Sequence, residues 1–147
     1  MTSLRRITAW DDRLDALIAE SSSEGFRFLS RLRDDWLSGA NRFDQLGESL
    51  CAVFDDEFLL AVGGLNRVSE SAARLRRVYV TKAARRRGIG RQLVAHLLML
   101  AREHYRQVVL RTDTKAAGDF YLTLGFEPVT GSDVTHCMTL RGCDSLA

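Results

Sequence analysis

The sequence is short of the residues that staple, anchor or coordinate. It has three cysteines, Cys51, Cys137 and Cys143, an odd number at no metal-like spacing. Free thiols in a reducing cytoplasm are therefore expected rather than a disulfide framework. The three histidines, His96, His104 and His136, are scattered, so no metal constellation is visible and no metal is expected. No apolar run is long enough to span a bilayer, and the N-terminus lacks an apolar stretch of signal-peptide length. No membrane partner is expected, and a cytoplasmic location is. Proline occurs once, at Pro128, and no repeat or biased segment stands out. Lysine is nearly absent: Lys82 and Lys115 are the only two among 21 basic residues, set against 19 acidic ones. The net charge of +2 excludes a general polycation and argues against bulk nucleic-acid binding.

What is present is an ordinary globular balance, 46% apolar and 27% charged over 147 residues. That length predicts one domain, residues 1–147, with room for a proper core. A weak alternation from Leu4 to Ala9 predicts a first strand. Asp11 or Asp12 can cap a helix carrying Leu14, Leu17 and Ile18, ended by the Ser21–Ser23 run and Gly25. Phe26, Leu29, Leu32 and Trp36 mark a second helix, stopped at Gly39, and a polar loop runs on to Glu48. Ser49–Phe54 and Phe58–Leu65 read as a hairpin about the Asp55-Asp56-Glu57 turn. Gly63-Gly64 within it predicts a bulge or a close backbone approach. Later strands are expected at Val108–Arg111, Phe126–Val129 and Val134–Leu140, with a helix from Thr114 to Leu124 ended by Gly125. The result is a mixed α/β (α+β) sheet of about seven strands flanked by about four helices.

The chain is organised around Arg74–Ala101. Arg74–Val80 is β-branched at Val78 and Val80, with Tyr79 between them, and reads as a strand. From Gly88 to about His104, apolar residues at Ile89, Leu93, Val94, Leu97, Leu98 and Ala101 make one broad helical stripe. Between them lies Arg85-Arg86-Arg87-Gly88-Ile89-Gly90-Arg91. The glycines let a ligand approach the backbone. The first amides of the helix have no partner inside it, and the peptide dipoles leave positive charge there. With four arginines as bidentate donors, this is a site for phosphate or pyrophosphate. No Gly-Lys-Ser/Thr follows, so it is no mononucleotide loop, and the third glycine of a dinucleotide fingerprint is missing.

The pattern Arg85-x-x-Gly88-x-Gly90, in this strand–loop–helix context, resembles the acetyl-CoA loop of the GCN5-related N-acetyltransferases (GNAT). A second segment, Phe120-Tyr121-Leu122-Thr123-Leu124-Gly125-Phe126, is similar to that family's Phe-Tyr-x-x-x-Gly-Phe. The element order matches the family fold over nearly the whole chain. The resemblance implies acetyl-CoA as co-substrate, with Arg85, Arg86, Arg87, Gly88, Ile89, Gly90 and Arg91 on its pyrophosphate. It also implies backbone groups of Val78, Tyr79 and Val80 along its pantetheine arm. Tyr121 is implied as the general acid. The family often has proline where Lys82 stands, and asparagine where Thr114 stands; the Thr114 hydroxyl is a partial replacement for that cofactor contact.

The implied activity is direct transfer of an acetyl group to a primary amine, with a small-molecule acceptor favoured by the small chain. Protein N-termini or lysines, a non-catalytic acetyl-CoA-binding role, and a nucleic-acid-binding module are the alternatives. The general base is not marked: many relatives carry a glutamate where Arg74 stands, and Glu57, Glu70, Asp113 and His136 qualify by residue type alone. Asn66, Arg67, Arg42 and Phe43 are candidates for acceptor contact. A homodimer is compatible with such a fold.

Overall fold

The computed structural model describes residues 1–131 and 133–140; Cys143 lies outside them. Seven strands form one sheet, β1 (Thr2–Arg6), β2 (Ser49–Asp55), β3 (Phe58–Arg67), β4 (Ala72–Val80), β5 (Gln107–Leu110), β6 (Glu127–Pro128) and β7 (His136–Thr139), in the spatial order β1-β2-β3-β4-β5-β7-β6. All neighbours are antiparallel except β4 and β5, which run parallel. The four helices are α1 (Arg13–Ser23), α2 (Phe28–Ser38), α3 (Ile89–Arg102) and α4 (Lys115–Thr123). The parallel pair is bridged by α3, as a strand–helix–strand crossover requires.

Each face of the sheet is covered. On one side α1 and α2 bury Leu14, Leu17, Leu29, Leu32 and Trp36 against Leu50, Ala52, Phe54, Val62 and Tyr79. On the other, α3 and α4 bury Ile89, Leu93, Leu97 and Tyr121 against Val53, Ala61, Ala73 and Leu75. Alternation along the strands sends side chains to the two cores by turns. Being buried on both faces, β2 and β3 read as nearly continuous apolar runs.

Several boundaries differ from the sequence reading. The first strand is Thr2–Arg6, not Leu4–Ala9, because its register is set by pairing with Asp55–Cys51 of β2. Ile7 still donates to the Leu50 carbonyl, after which the chain turns toward α1. The second helix starts at Phe28, while Phe26 packs against the rings of Phe28 and Tyr79. The two closing strands shrink to Glu127–Pro128 and His136–Thr139.

The register shifts twice, once between β2 and β3 at Val53–Phe54 and once where β3 meets β4. At the second shift it passes from Val62↔Tyr79 to Gly64↔Arg76, so one residue of β3 faces two of β4. The extra residue lies in β4: Arg77, at φ 60°, holds the bulge. The two glycines of β3 provide the close approach opposite it. A Cβ on Gly64 would run into the Phe43 ring, and one on Gly63 would lie 3.2 Å from Leu93 and Val78.

Candidate active site

The strand β4 has two different edges. Toward β3 it is paired almost to its end, with Ala61 opposite Val80. Toward β5 its pairing stops at Arg74↔Val109. From Leu75 to Val80 that edge has no strand beside it among the described residues, and the two parallel strands part like the arms of a V. A cleft opens in the sheet beyond the carboxyl end of a parallel strand, where ligands bind in open α/β sheets.

At the head of this cleft is the arginine–glycine loop. A short 3₁₀ turn, Lys82–Ala84, leads from β4 into it. Gly88, at φ 77°, is the residue before α3, and nothing lies within 4 Å of where its Cβ would be. The left-handed backbone, rather than crowding, is what calls for glycine there. Gly90 is constrained differently: a Cβ would meet Phe120 and Val80 at 3.3 Å. Among the described residues, the backbone N–H groups of Arg86, Arg87, Gly88, Ile89, Gly90 and Arg91 donate to no protein acceptor. Six consecutive donors at the positive mouth of a 14-residue helix form a cradle for an anion.

The four arginines separate into different roles. Arg85 is turned back onto the protein. Its guanidinium donates to both carboxylate oxygens of Glu24, at 2.6 and 3.0 Å, and its Nε donates to the Val80 carbonyl at 3.0 Å. Arg87 stands 4.0 Å from Asp55, and Arg91 donates to the Thr123 hydroxyl at 3.3 Å. Arg86, exposed and at φ 64°, makes no hydrogen bond or ion pair among the described residues.

Glu24 and Glu20, at the end of α1, form a polar knot under the loop. The single O–H proton of Tyr79 is shared between the two carboxylates, the Thr81 hydroxyl donates to Glu20 at 2.8 Å, and the Lys82 amide does so at 3.2 Å. Hydrogen bonds from Arg85 and then Tyr79 hold the Glu24 carboxyl down at about 2. Glu20 is also lowered: burial opposes its charge, but the donors from Tyr79 and Thr81 outweigh it. The sequence signals only the backbone of Tyr79. Its side-chain role was hidden because Glu20 and Glu24 are 59 and 55 residues away in the chain.

On the α3–α4 side, Tyr121 is 8% exposed and wedged edge-on between Phe120 and Phe126, at ring separations of 5.1 and 5.5 Å. Its hydroxyl has no hydrogen-bond partner among the described residues, and burial pushes its pKa up, so it stays a proton donor. Thr114 caps α4, its hydroxyl oxygen accepting from the Ala117 amide at 3.2 Å. Its O–H proton is not used in that bond. Val78 and Val80 pack against the α3 core.

The proposed bases are dispersed. Glu57 and Glu70 lie in exposed turns, and Asp113 stands 3.5 Å from Arg111 at the surface. His136 is buried opposite Leu110 on β7, its Nδ1 2.8 Å from the Thr135 hydroxyl. Gly118 of α4 makes room for that ring: a Cβ would come within 3.5 Å of His136 Nε2.

A cavity of about 420 Å³ opens on the α1–α2 face, lined by Asp35, Asn41, Asp44, Glu48, Asn66, Arg67 and Arg76, among others. It contains Asn66, Arg67 and Arg42 of the expected acceptor residues, while Phe43 is buried beneath it. Sequence reasoning passed over Arg76 and Arg77. The Arg77 side chain is buried at the bulge, its Nη2 3.6 Å from Asp35 and its Nε without a partner among the described residues, and burial lowers it to about 10. A second cavity, about 620 Å³, lies between the 44–49 loop and the far half of α3, and includes His96, His104 and Cys51. Among the described residues no group of His, Cys, Asp or Glu is arranged to hold a metal ion, and no helix is long and apolar enough to cross a membrane.

A family model, the acetyltransferase (GNAT) domain, matches residues 47–128. The fold is shared with a structure from Exiguobacterium sp. 255-15, provisionally described as an acetyltransferase, at 28% identity and TM-score 0.83, covering 95% of this chain and 93% of that one. An acetyltransferase from Streptococcus agalactiae superposes with TM-score 0.78 at 17% identity, covering 95% and 98%. The ribosomal-protein-S18-alanine N-acetyltransferase of Escherichia coli does so with TM-score 0.69 at 18% identity, covering 98% of each. No curated protein matches the chain in sequence.

Proposed function

The chain belongs to the GNAT acetyltransferase family, and from that premise we propose that it moves an acetyl group from acetyl-CoA to a primary amine of a small molecule. The observation that carries this reading is the run of six unpartnered amides from Arg86 to Arg91, opening α3 beside the unpaired edge of β4. A diphosphate satisfies such a cradle, with Arg86, Arg87 and Arg91 adding charge. The backbone of Val78 and Val80, and the free O–H of Thr114, are the further contacts assigned to the co-substrate. What the bound thioester supplies is an acyl group activated for attack by nitrogen.

In this reading the protein's work is positioning and proton supply. Holding amine and acyl carbon in line removes most of the entropic barrier. An amide near the end of β4 faces the charge that develops on the carbonyl oxygen. Tyr121, kept protonated by burial, returns a proton to the departing sulfur. Arg85 differs from the other three arginines: locked to Glu24 and the Val80 carbonyl, it fixes the shape of the loop rather than gripping the ligand.

A small acceptor is favoured over a protein by the polar cavity of about 420 Å³, a volume suited to a small molecule. The likeness to the S18-alanine enzyme is one of fold and brings no acceptor with it. The test is calorimetric titration with acetyl-CoA, followed by thiol release across a panel of amines. Saturable binding at one site, lost in Gly88→Val, supports the reading; no heat of binding overturns it.

A further inference from the structure

On the α1–α2 face, β4 presents a row of arginines. Cross-strand partners share a face, so Arg76 stands beside Gly64 and Arg74 beside Asn66. The face is identified by Phe43, of the α1–α2 core, which fills the space over Gly64. The bulge adds Arg77 to the same side, where it meets Asp35 of α2. Three guanidinium groups thus line the strand, Arg74 at its last pairing with β5 and Arg76 and Arg77 just beyond it. From Arg76 to Val80, the end of β4, is only about 13 Å of extended strand, and a short 3₁₀ turn leads on from there to the loop.

Their partners are unequal. Arg74 is paired with Asp133 at 2.5 Å, and Arg77 with Asp35 at 3.6 Å. Arg76 is half-buried, lines the cavity of about 420 Å³, and forms no hydrogen bond or ion pair among the described residues. The acids of that cavity do not neutralise it. Glu48 is engaged by its own loop and by the end of β3, accepting from the Gln45 amide, the Asn66 side chain and the Arg67 amide. Asp35 and Asp44 remain as cavity-lining carboxylates, Asp35 turned toward Arg77. Arg67 also lines the cavity without a side-chain partner among the described residues, but it is exposed at the end of β3, whereas Arg76 is half-buried on β4. The open cavity therefore offers guanidinium groups without an ion pair, Arg76 the more buried of them, beside separate carboxylates. A neutral amine leaves the guanidinium idle, and a dianion meets the acids. A molecule carrying one carboxylate and one amine complements both signs.

We propose that the acceptor is an amino-carboxylate, its carboxylate bound by Arg76 on the α1–α2 face of β4 and its amine directed toward the cleft between β4 and β5. This rests on the acetyltransferase reading and narrows its substrate class. In the reaction the amine nitrogen bonds to the acyl carbon as the carbon–sulfur bond breaks. The neutral amine nitrogen loses one proton to solvent, the departing sulfur takes one from Tyr121, which regains it from solvent, and the carboxylate is unchanged.

The experiment uses matched pairs on the full chain: glycine, β-alanine and γ-aminobutyrate, each against its amide. Thiol release gives kcat/KM, and calorimetry with the N-acetylated acids and their amides gives binding without turnover. At least one acid is expected to exceed its amide by about tenfold in both measurements, as a charge-assisted contact supplies. Arg76→Gln should erase that advantage while the amide rates persist, which also shows that the variant folds. Amides equal to or better than the acids in the wild-type protein overturn the proposal without recourse to any variant, as does an acid preference that survives Arg76→Gln. Titration with acetyl-CoA alone separates the two levels. Binding of acetyl-CoA without acid preference removes only the amino-carboxylate, whereas no binding of acetyl-CoA removes the acetyltransferase reading itself.

Discussion

At the residue scale, the site depends on a few side chains whose surroundings fix their behaviour. Tyr121 has a hydroxyl without a partner among the described residues and a pKa pushed upward by burial. Tyr121→Phe keeps the ring between Phe120 and Phe126 and removes only the proton. Turnover should fall about 100-fold, the usual scale of a lost general acid, with the KM for acetyl-CoA little changed; steady-state thiol release measures both. Gly88 carries a backbone constraint and no steric one. Gly88→Ala should therefore cost about 1 kcal/mol of stability from its φ of 77°. Acetyl-CoA affinity should fall by more than the stability loss explains, because the amide cradle shifts with the backbone. Thermal melts with and without acetyl-CoA distinguish the two effects.

At the element scale, the knot between α1 and the end of β4 ties the helix layer to the loop. The Glu24 carboxyl lies at about 2 against an ordinary 4.5, through Arg85 and then Tyr79. A lowered carboxylate stabilises the fold fully above its unfolded value, and that stability drains away as pH falls from about 4.5 toward about 2. Glu24→Gln should flatten this acid limb in urea melts taken across that range, and should weaken acetyl-CoA binding at neutral pH by loosening Arg85. The bulge in β4 is a second device of this scale. Leu75, Val78 and Val80 pack toward α3, and Tyr79 toward α1 and α2. Deleting Arg77 preserves that alternation, so the variant should fold, with an unchanged circular dichroism spectrum. Turnover should nonetheless collapse, since the strand loses the local kink that follows from its extra residue.

At the scale of the whole molecule, two cores share one sheet, and neither closes without it. Leu14 belongs to the α1–α2 core and Leu97 to the α3–α4 core, both fully buried. Each change to alanine should cost about 2–5 kcal/mol. Both should lower the same single transition in calorimetry, since β2, β3 and β4 contribute to both layers. Two separate transitions would contradict a single cooperative unit spanning residues 1–147.

The sequence by itself determined the element order, the mixed sheet and the place of the arginine–glycine loop between β4 and α3. Those are local properties: the 3.6-residue stripe from Ile89 to Ala101, the β-branched Val78 and Val80, and glycines at positions 88 and 90. It also marked Tyr121, through the short segment that follows it. It did not separate Arg85 from Arg86, because four neighbouring arginines are chemically alike until one of them meets Glu24, 61 residues away. Nor did it show the bulge at Arg77, the cation row on β4 or the enclosure around Arg76. These arise from strand register and from which helix lies over which face, and such long-range pairings are decided only when the chain closes on itself.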